Sequence, residues 1–260
     1  MIRRKFFYLG NSQKQRTRMI PYPKNFRKIV STTCFFVSAF LLAQWILAPL
    51  LLASPPKDGD FGIWNIYDVE KKLNSQWKMK VGEELRFRDH AGLYYAETHL
   101  GVDYKPFKYL AMGAEYQEIR NTRTKTARNK QKQDKWYWDE VPRIYLTPQC
   151  SYKGFQLEDR NMLEFRIRQD ARFTLRYRNM VTLTAPWKWT PLQFQPYTSN
   201  ETFFETQRNG LIEDRFFSGF KVHWWGPVYG SIFYLRQSTK NAVAKWTSLN
   251  ILGTALKICF

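Results

Sequence analysis

The feature that most limits what this chain can fold into is a two-residue alternation of apolar and polar side chains that recurs from residue 60 onward. Gln76 to Arg88 places Trp77, Met79, Val81, Leu85 and Phe87 on one parity, and Lys78, Lys80, Gly82, Glu84, Arg86 and Arg88 on the other. Successive side chains of an extended strand point to opposite faces, so this period describes a strand with one apolar and one charged face, not a helix. Tyr94 to Tyr104 repeats the pattern, and the runs Leu163 to Arg168 and Phe173 to Arg178 are cleaner still. In the last segment Trp246, Leu252, Leu256, Ile258 and Phe260 share one parity, while Thr247, Gly253, Lys257 and Cys259 share the other.

Read this way, residues 61–69, 76–88, 93–104, 109–119, 136–147, 157–169, 172–183, 197–207, 212–224, 228–237 and 246–260 are strand candidates. Most reach the length of about nine to eleven residues that a tilted strand needs to cross a bilayer. A chain of 260 residues suits one domain of this kind. The expected fold is all-β, an antiparallel up-and-down transmembrane β-barrel of 10–12 strands preceded by an N-terminal hydrophobic helix. Eleven candidates conflict with the even count usual for such barrels. Either the ten strands from Gln76 onward close the barrel, with Phe61 to Val69 lying against or inside it, or that segment joins a twelve-stranded one. With Phe260 taken as a periplasmic end, Lys105 to Lys108 and Trp225 to Pro227 become short periplasmic turns, and Arg120 to Lys135 becomes a long basic outer loop. Ala185 to Pro196 falls on the periplasmic side and is too long for a turn there.

Ile29 to Ala53 carries no charge, follows Lys24, Arg27 and Lys28, and precedes Ser54-Pro55-Pro56. That is the layout of a secretory signal, which divides the chain into a targeting segment, 1–54, and a barrel domain, 55–260. Leu51 at the −3 position is a poor cleavage residue, and a retained inner-membrane anchor is the alternative; Met19 would be a more ordinary start. Residues 1–54 hold nine Lys/Arg and no acid, which leaves 32 Lys/Arg against 22 Asp/Glu, a net charge of +10 in the body. No nucleic-acid-binding motif accompanies that charge. Cys34 falls in the targeting segment, and Cys150 and Cys259 lack metal-binding spacing. A disulfide between these two is conceivable in an oxidising compartment, and two unpaired thiols are the simpler reading.

Alternation does not say which face meets water, since a soluble barrel alternates equally well with its apolar side turned in. Aromatic residues make up 17% of the chain, and Tyr94, Tyr104, Trp136, Trp138, Trp224, Tyr229 and Trp246 lie near strand ends, where membrane barrels carry aromatic girdles. A final Phe260 with Ile258 and Leu256 two and four positions before it resembles the assembly signal of bacterial outer-membrane β-barrels. Five blocks, Phe61-Gly62-Ile63-Trp64, Glu84 to Arg88, Leu163 to Arg166, Arg176-Tyr177-Arg178 and Glu213 to Gly219, resemble an uncharacterised family of such barrels from Gram-negative bacteria, a domain of unknown function. The resemblance covers about residues 60–260. It implies a small outer-membrane barrel, with membrane lipids and the barrel-assembly machinery as partners, and supplies no activity.

The chemistry is thin. His90 sits in a short loop, His99 and His223 fall on the charged parity, and no Ser nucleophile stands at a signature spacing from any of them. No cofactor is expected. Arg86, Arg88, Arg166, Arg168, Arg176 and Arg178 share the luminal parity, where guanidinium groups either line an anion path or pair with Glu84, Glu97, Asp103, Glu115, Glu164 and Glu205. Arg120 to Lys135 is either a solvated run or an attachment point for anionic surface groups. The expectation is a non-enzymatic structural or surface-interaction barrel with a narrow anion-permissive lumen. An outer-membrane lipid-modifying enzyme and a soluble barrel tethered to the inner membrane are the alternatives.

Overall fold

The computed structural model describes residues 61–88, 92–126, 132–169, 172–208, 210–241 and 244–260. The targeting segment and His90 lie outside these residues. All eleven candidate segments are strands: β1 (Phe61–Lys72), β2 (Trp77–Arg88), β3 (Gly92–Phe107), β4 (Leu110–Thr126), β5 (Lys132–Tyr152), β6 (Phe155–Arg168), β7 (Thr174–Thr184), β8 (Gln195–Glu205), β9 (Gly210–Trp225), β10 (Val228–Lys240) and β11 (Trp246–Cys259). Consecutive strands pair in antiparallel fashion and β11 returns to β1, so the sheet closes on itself and no strand keeps a bare edge. The only other regular element among the described residues is a 3-10 turn, Thr206–Arg208.

The first candidate therefore neither lies against nor fills a ten-stranded barrel, and among the described residues no twelfth strand enters it. It is a full member, and the count is eleven. In an up-and-down sheet with an odd number of strands the first and last run the same way, so the closing ladder is parallel, from Phe61 opposite Asn250 to Glu70 opposite Cys259. Phe61 accordingly lies at the end of the barrel opposite Phe260. The seam is secured there by Phe260 N–H donating to the Glu70 carbonyl and Lys72 N–H to the Phe260 carbonyl, both at 2.9 Å.

Local chemistry explains the short turns at the Phe260 end. Asn74 Oδ1 accepts from the backbone N–H of Gln76 at 2.8 Å and of Trp77 at 2.9 Å, closing the β1–β2 turn. Lys153 (φ 47°) and Gly154 (φ 83°) give the two-residue β5–β6 turn the left-handed pair that matches strand twist. The long connection after β7 is not slack. Trp189 and Phe194 form an isolated bridge, and Leu192 O accepts from His223 N–H at 3.0 Å, so the segment docks on β9 as a small hairpin.

At the other end the expected outer loop is mostly ladder. β4 and β5 stay paired from Arg120 opposite Trp138 out to Thr126 opposite Lys132, because continued pairing satisfies backbone groups that a loop would leave to water.

The two faces separate as the alternation requires. Phe61, Ile63, Met79, Val81, Leu100, Ile144, Leu163, Ile167, Leu183, Phe216, Ile232 and Leu252 all project outward and are exposed. Inside, Trp64, Phe217, Phe233, Leu235, Leu249 and Ile251 form an apolar cluster under β9, β10, β11 and β1. Gly253 makes room for it, since a Cβ there would collide with the Phe233 ring.

Two expected girdle residues turn inward. Pairing slips between Arg86 and Phe87 of β2, leaving Tyr94 as the extra residue, buried under the Arg88 guanidinium at 3.7 Å. Tyr229 shares the inward parity of Phe233 and Leu235 and stacks on His223, its register partner, at 4.6 Å. Trp138, Trp224 and Trp246 remain exposed near strand ends, Trp136 is half-buried, and Tyr104 stacks on Trp77 at 4.5 Å.

Candidate functional site

The lumen holds the densest charge of the molecule, because the polar parity of every strand from β2 to β9 turns inward there. Glu164 of β6, fully buried, accepts from Arg176 Nε of β7 at 2.6 Å and from Arg178 Nη1 at 3.3 Å. Arg178 also pairs with Glu201 of β8, which in turn accepts from Arg215 of β9 at 3.2 Å. On the other side Arg166 Nη2 donates to Asp139 Oδ2 of β5 at 3.0 Å, and Arg168 reaches Glu205 at 2.8 Å. Glu115 of β4 is shared by Arg143, Arg160 and Lys80. Lys78 lies between Glu70 at 3.0 Å and Asp103 at 2.9 Å. Charges taken out of water are tolerated only when paired in this way; most pairs join adjacent strands, while Arg168–Glu205, Arg160–Glu115 and Lys80–Glu115 reach across an intervening one.

Aromatic faces complete the filling. Arg86 pairs with Glu84 and is held between the rings of Trp64 and Tyr95, each 3.8 Å from its guanidinium carbon. Phe203, wholly buried, is ringed by Arg176, Arg178 and Arg215 at 4.9, 5.1 and 4.4 Å. A barrel of this size is narrow enough for its own side chains to fill.

The six arginines singled out by parity thus sit in the lumen. Arg86, Arg166, Arg168, Arg176 and Arg178 are each engaged by a carboxylate, and Arg88 by the Tyr94 ring, which is the ion-paired arrangement. Arg143, Arg160, Arg215 and Lys80 belong to the same network and were missed, although the inward parity of their strands carries them too.

His99 Nε2 lies 3.0 Å from Asp68 Oδ1 and its Nδ1 3.6 Å from Glu97, while His223 Nε2 meets the Gly226 carbonyl at 3.1 Å. Neither of these two described histidines bonds a serine hydroxyl. Cys150 is exposed on the outer parity, and Cys259 donates from the inner parity to Glu70 Oε2 at 3.7 Å; both thiols are free. Of the presumed assembly signal, Phe260 is exposed, Leu256 is half-buried, and Ile258, register partner of Val69 and Val228, is buried.

At the Phe260 end the lumen opens into a cavity of about 360 Å³, lined by Lys188, Gln195, Lys221, His223, Tyr229 and Lys257 among others. Sequence reasoning did not single out these lysines, whose positions depend on the docked connection after β7 and on the register shift before Tyr229.

Residues 61–248 match the family described as protein of unknown function (DUF2490), and the chain belongs to that family. The match begins at Phe61, where the first of the quoted blocks begins. No curated protein matches the chain. Among solved structures the chain is similar to LpxR from Salmonella typhimurium, at 8% sequence identity and a TM-score of 0.43, with 70% of this chain and 83% of that chain covered.

Proposed function

We propose that this protein is an exported outer-membrane barrel whose lumen is closed by its own side chains, and that it acts as a structural or surface-presenting element rather than as a conduit. The observation that carries this reading is the inside-out partition of the sheet. Arg86, Arg143, Glu164, Glu201 and Arg215 are buried inside, while Ile63, Val81, Leu100, Ile144, Leu163 and Ile232 are exposed outside. In water such an exterior is an aggregation-prone surface; in hydrocarbon it is the stable arrangement. The extended β4–β5 hairpin with its basic residues is the element best suited to meet anionic groups at the membrane surface, and Leu256, Ile258 and Phe260 are the residues offered to the assembly machinery. The test is gel mobility with and without heating, together with fractionation of the native host. A folded band that shifts on boiling and is released from membranes by detergent alone is the expected outcome. Release of the folded protein from membranes by a salt wash, or its recovery in the soluble fraction without detergent, would falsify the membrane assignment.

A further inference from the structure

Most cations of the inner face are neutralised among the described residues. Lys78, Lys80, Arg143, Arg160, Arg166, Arg168, Arg176, Arg178, Arg215 and Lys257 each have a carboxylate within ion-pair reach. Lys221 of β9 is on the same inward parity, donates to Thr184 Oγ1 at 2.9 Å and lies 5.6 Å from the centre of the Tyr197 ring, but no described carboxylate lies within ion-pair reach of it, and Glu158 acts on it only from farther off. It lines the cavity at the Phe260 end together with Lys257 and with Lys188 from the docked connection. The one acid on that wall, Asp68, is already hydrogen-bonded to His99 at 3.0 Å. Lys257 keeps only a long contact, 3.6 Å, with Glu70, and Lys188 spends one donor on Gln193 Oε1 at 3.3 Å.

Three ammonium groups therefore converge on a recess whose low-dielectric walls concentrate their field, while the charges around it are balanced elsewhere. A cation that has a like charge, Lys257, beside it and only the more distant Glu158 to balance it is costly in a confined space, and a bound anion lowers the cost. We propose that this mouth is a binding site for a small soluble oxyanion, bearing phosphate or carboxylate groups, held between Lys221 and Lys257 and closed over by Lys188. The stacked His223–Tyr229 pair supplies a flat wall beside it. A volume of about 360 Å³ admits phosphate or a short polycarboxylate but not an oligosaccharide. The site is independent of the conducting path considered above, since it needs only a mouth and no continuous lumen.

Calorimetric titration of the folded full chain, in zwitterionic detergent at low ionic strength, tests this with inorganic phosphate and citrate as separate probes. One equivalent of at least one probe is expected to bind, with affinity lowered tenfold or more in Lys221→Gln and unchanged in Lys153→Gln, which removes the same charge from a rim turn. Tighter binding of one probe identifies the oxyanion class. Heat-modifiable mobility verifies folding of each variant, and Lys257→Gln with Lys188→Gln replaces Lys221→Gln if that protein does not fold. Absence of saturable binding by both probes, or equal weakening in the pocket and rim variants, overturns the proposal in favour of a diffuse positive field.

Discussion

Glu164 is the residue on which most of the luminal network turns. It is wholly buried and takes hydrogen bonds from two arginines of the neighbouring strand. Glu164→Leu leaves Arg176 without its carboxylate and Arg178 with Glu201 alone, and is expected to destabilise the barrel by about 3–5 kcal/mol. Arg208→Gln breaks a pair with Glu205 whose arginine is 49% exposed, and should change stability by about 0–1 kcal/mol. Urea unfolding in detergent micelles measures both, and equal midpoints would remove the network from the account of stability. That arginines such as Arg176 would face carboxylates was legible from parity. Which carboxylate was not, because Arg168 reaches Glu205 across β7, a contact set by register and barrel curvature rather than by spacing in the chain. Parity placed Lys221 on the inner face but not beside Lys257 and Lys188, which come from other elements.

At the scale of the element, the face of β6 gives the sharpest comparison. Leu163, Phe165 and Ile167 are the outward set, and Phe165→Arg places a charge on that face at an expected cost of about 2–4 kcal/mol at the bilayer midplane, less nearer the rim. Leu163→Ile should be nearly silent. Folded yield after refolding into lipid vesicles, compared with refolding into micelles, reads the difference; equal loss in both variants would mean that the outward face does not meet lipid. All eleven strands were legible because a period of two survives over whole segments. The failures fall where that period is interrupted or prolonged. One residue inserted at Tyr94 reverses the face of a residue whose type alone marks it as a girdle aromatic. Between Arg120 and Lys135 a composition typical of loops is overruled by backbone pairing.

For the whole molecule, the proposed closure of the lumen predicts silence in planar bilayers. Protein shown to be folded should give no resolvable conductance steps, and Arg176→Glu should not open any; stable anion-selective steps would require a passage between the ion pairs. What parity and strand counting could not supply was the closure, because an odd number is decided by whether the first candidate pairs, and pairing with β11 depends on residues such as Asn65 and Thr254, which bond at 2.9 Å across 189 positions. The parallel seam has a temporal consequence. Ten ladders join neighbours in the chain and can form one hairpin after another, each at the low entropic cost of a short loop. The eleventh has no hairpin to start it and must capture two distant edges that run the same way, so it is the step on which completion waits. Amide exchange in lipid should accordingly be faster along Ile63 to Val69 and Asn250 to Leu256 than in the β4–β5 ladder. A sheet already curled and inserted, with its last two edges unjoined, is a slot in the wall facing the membrane, and the rate at which that slot closes or reopens is a property of this seam alone.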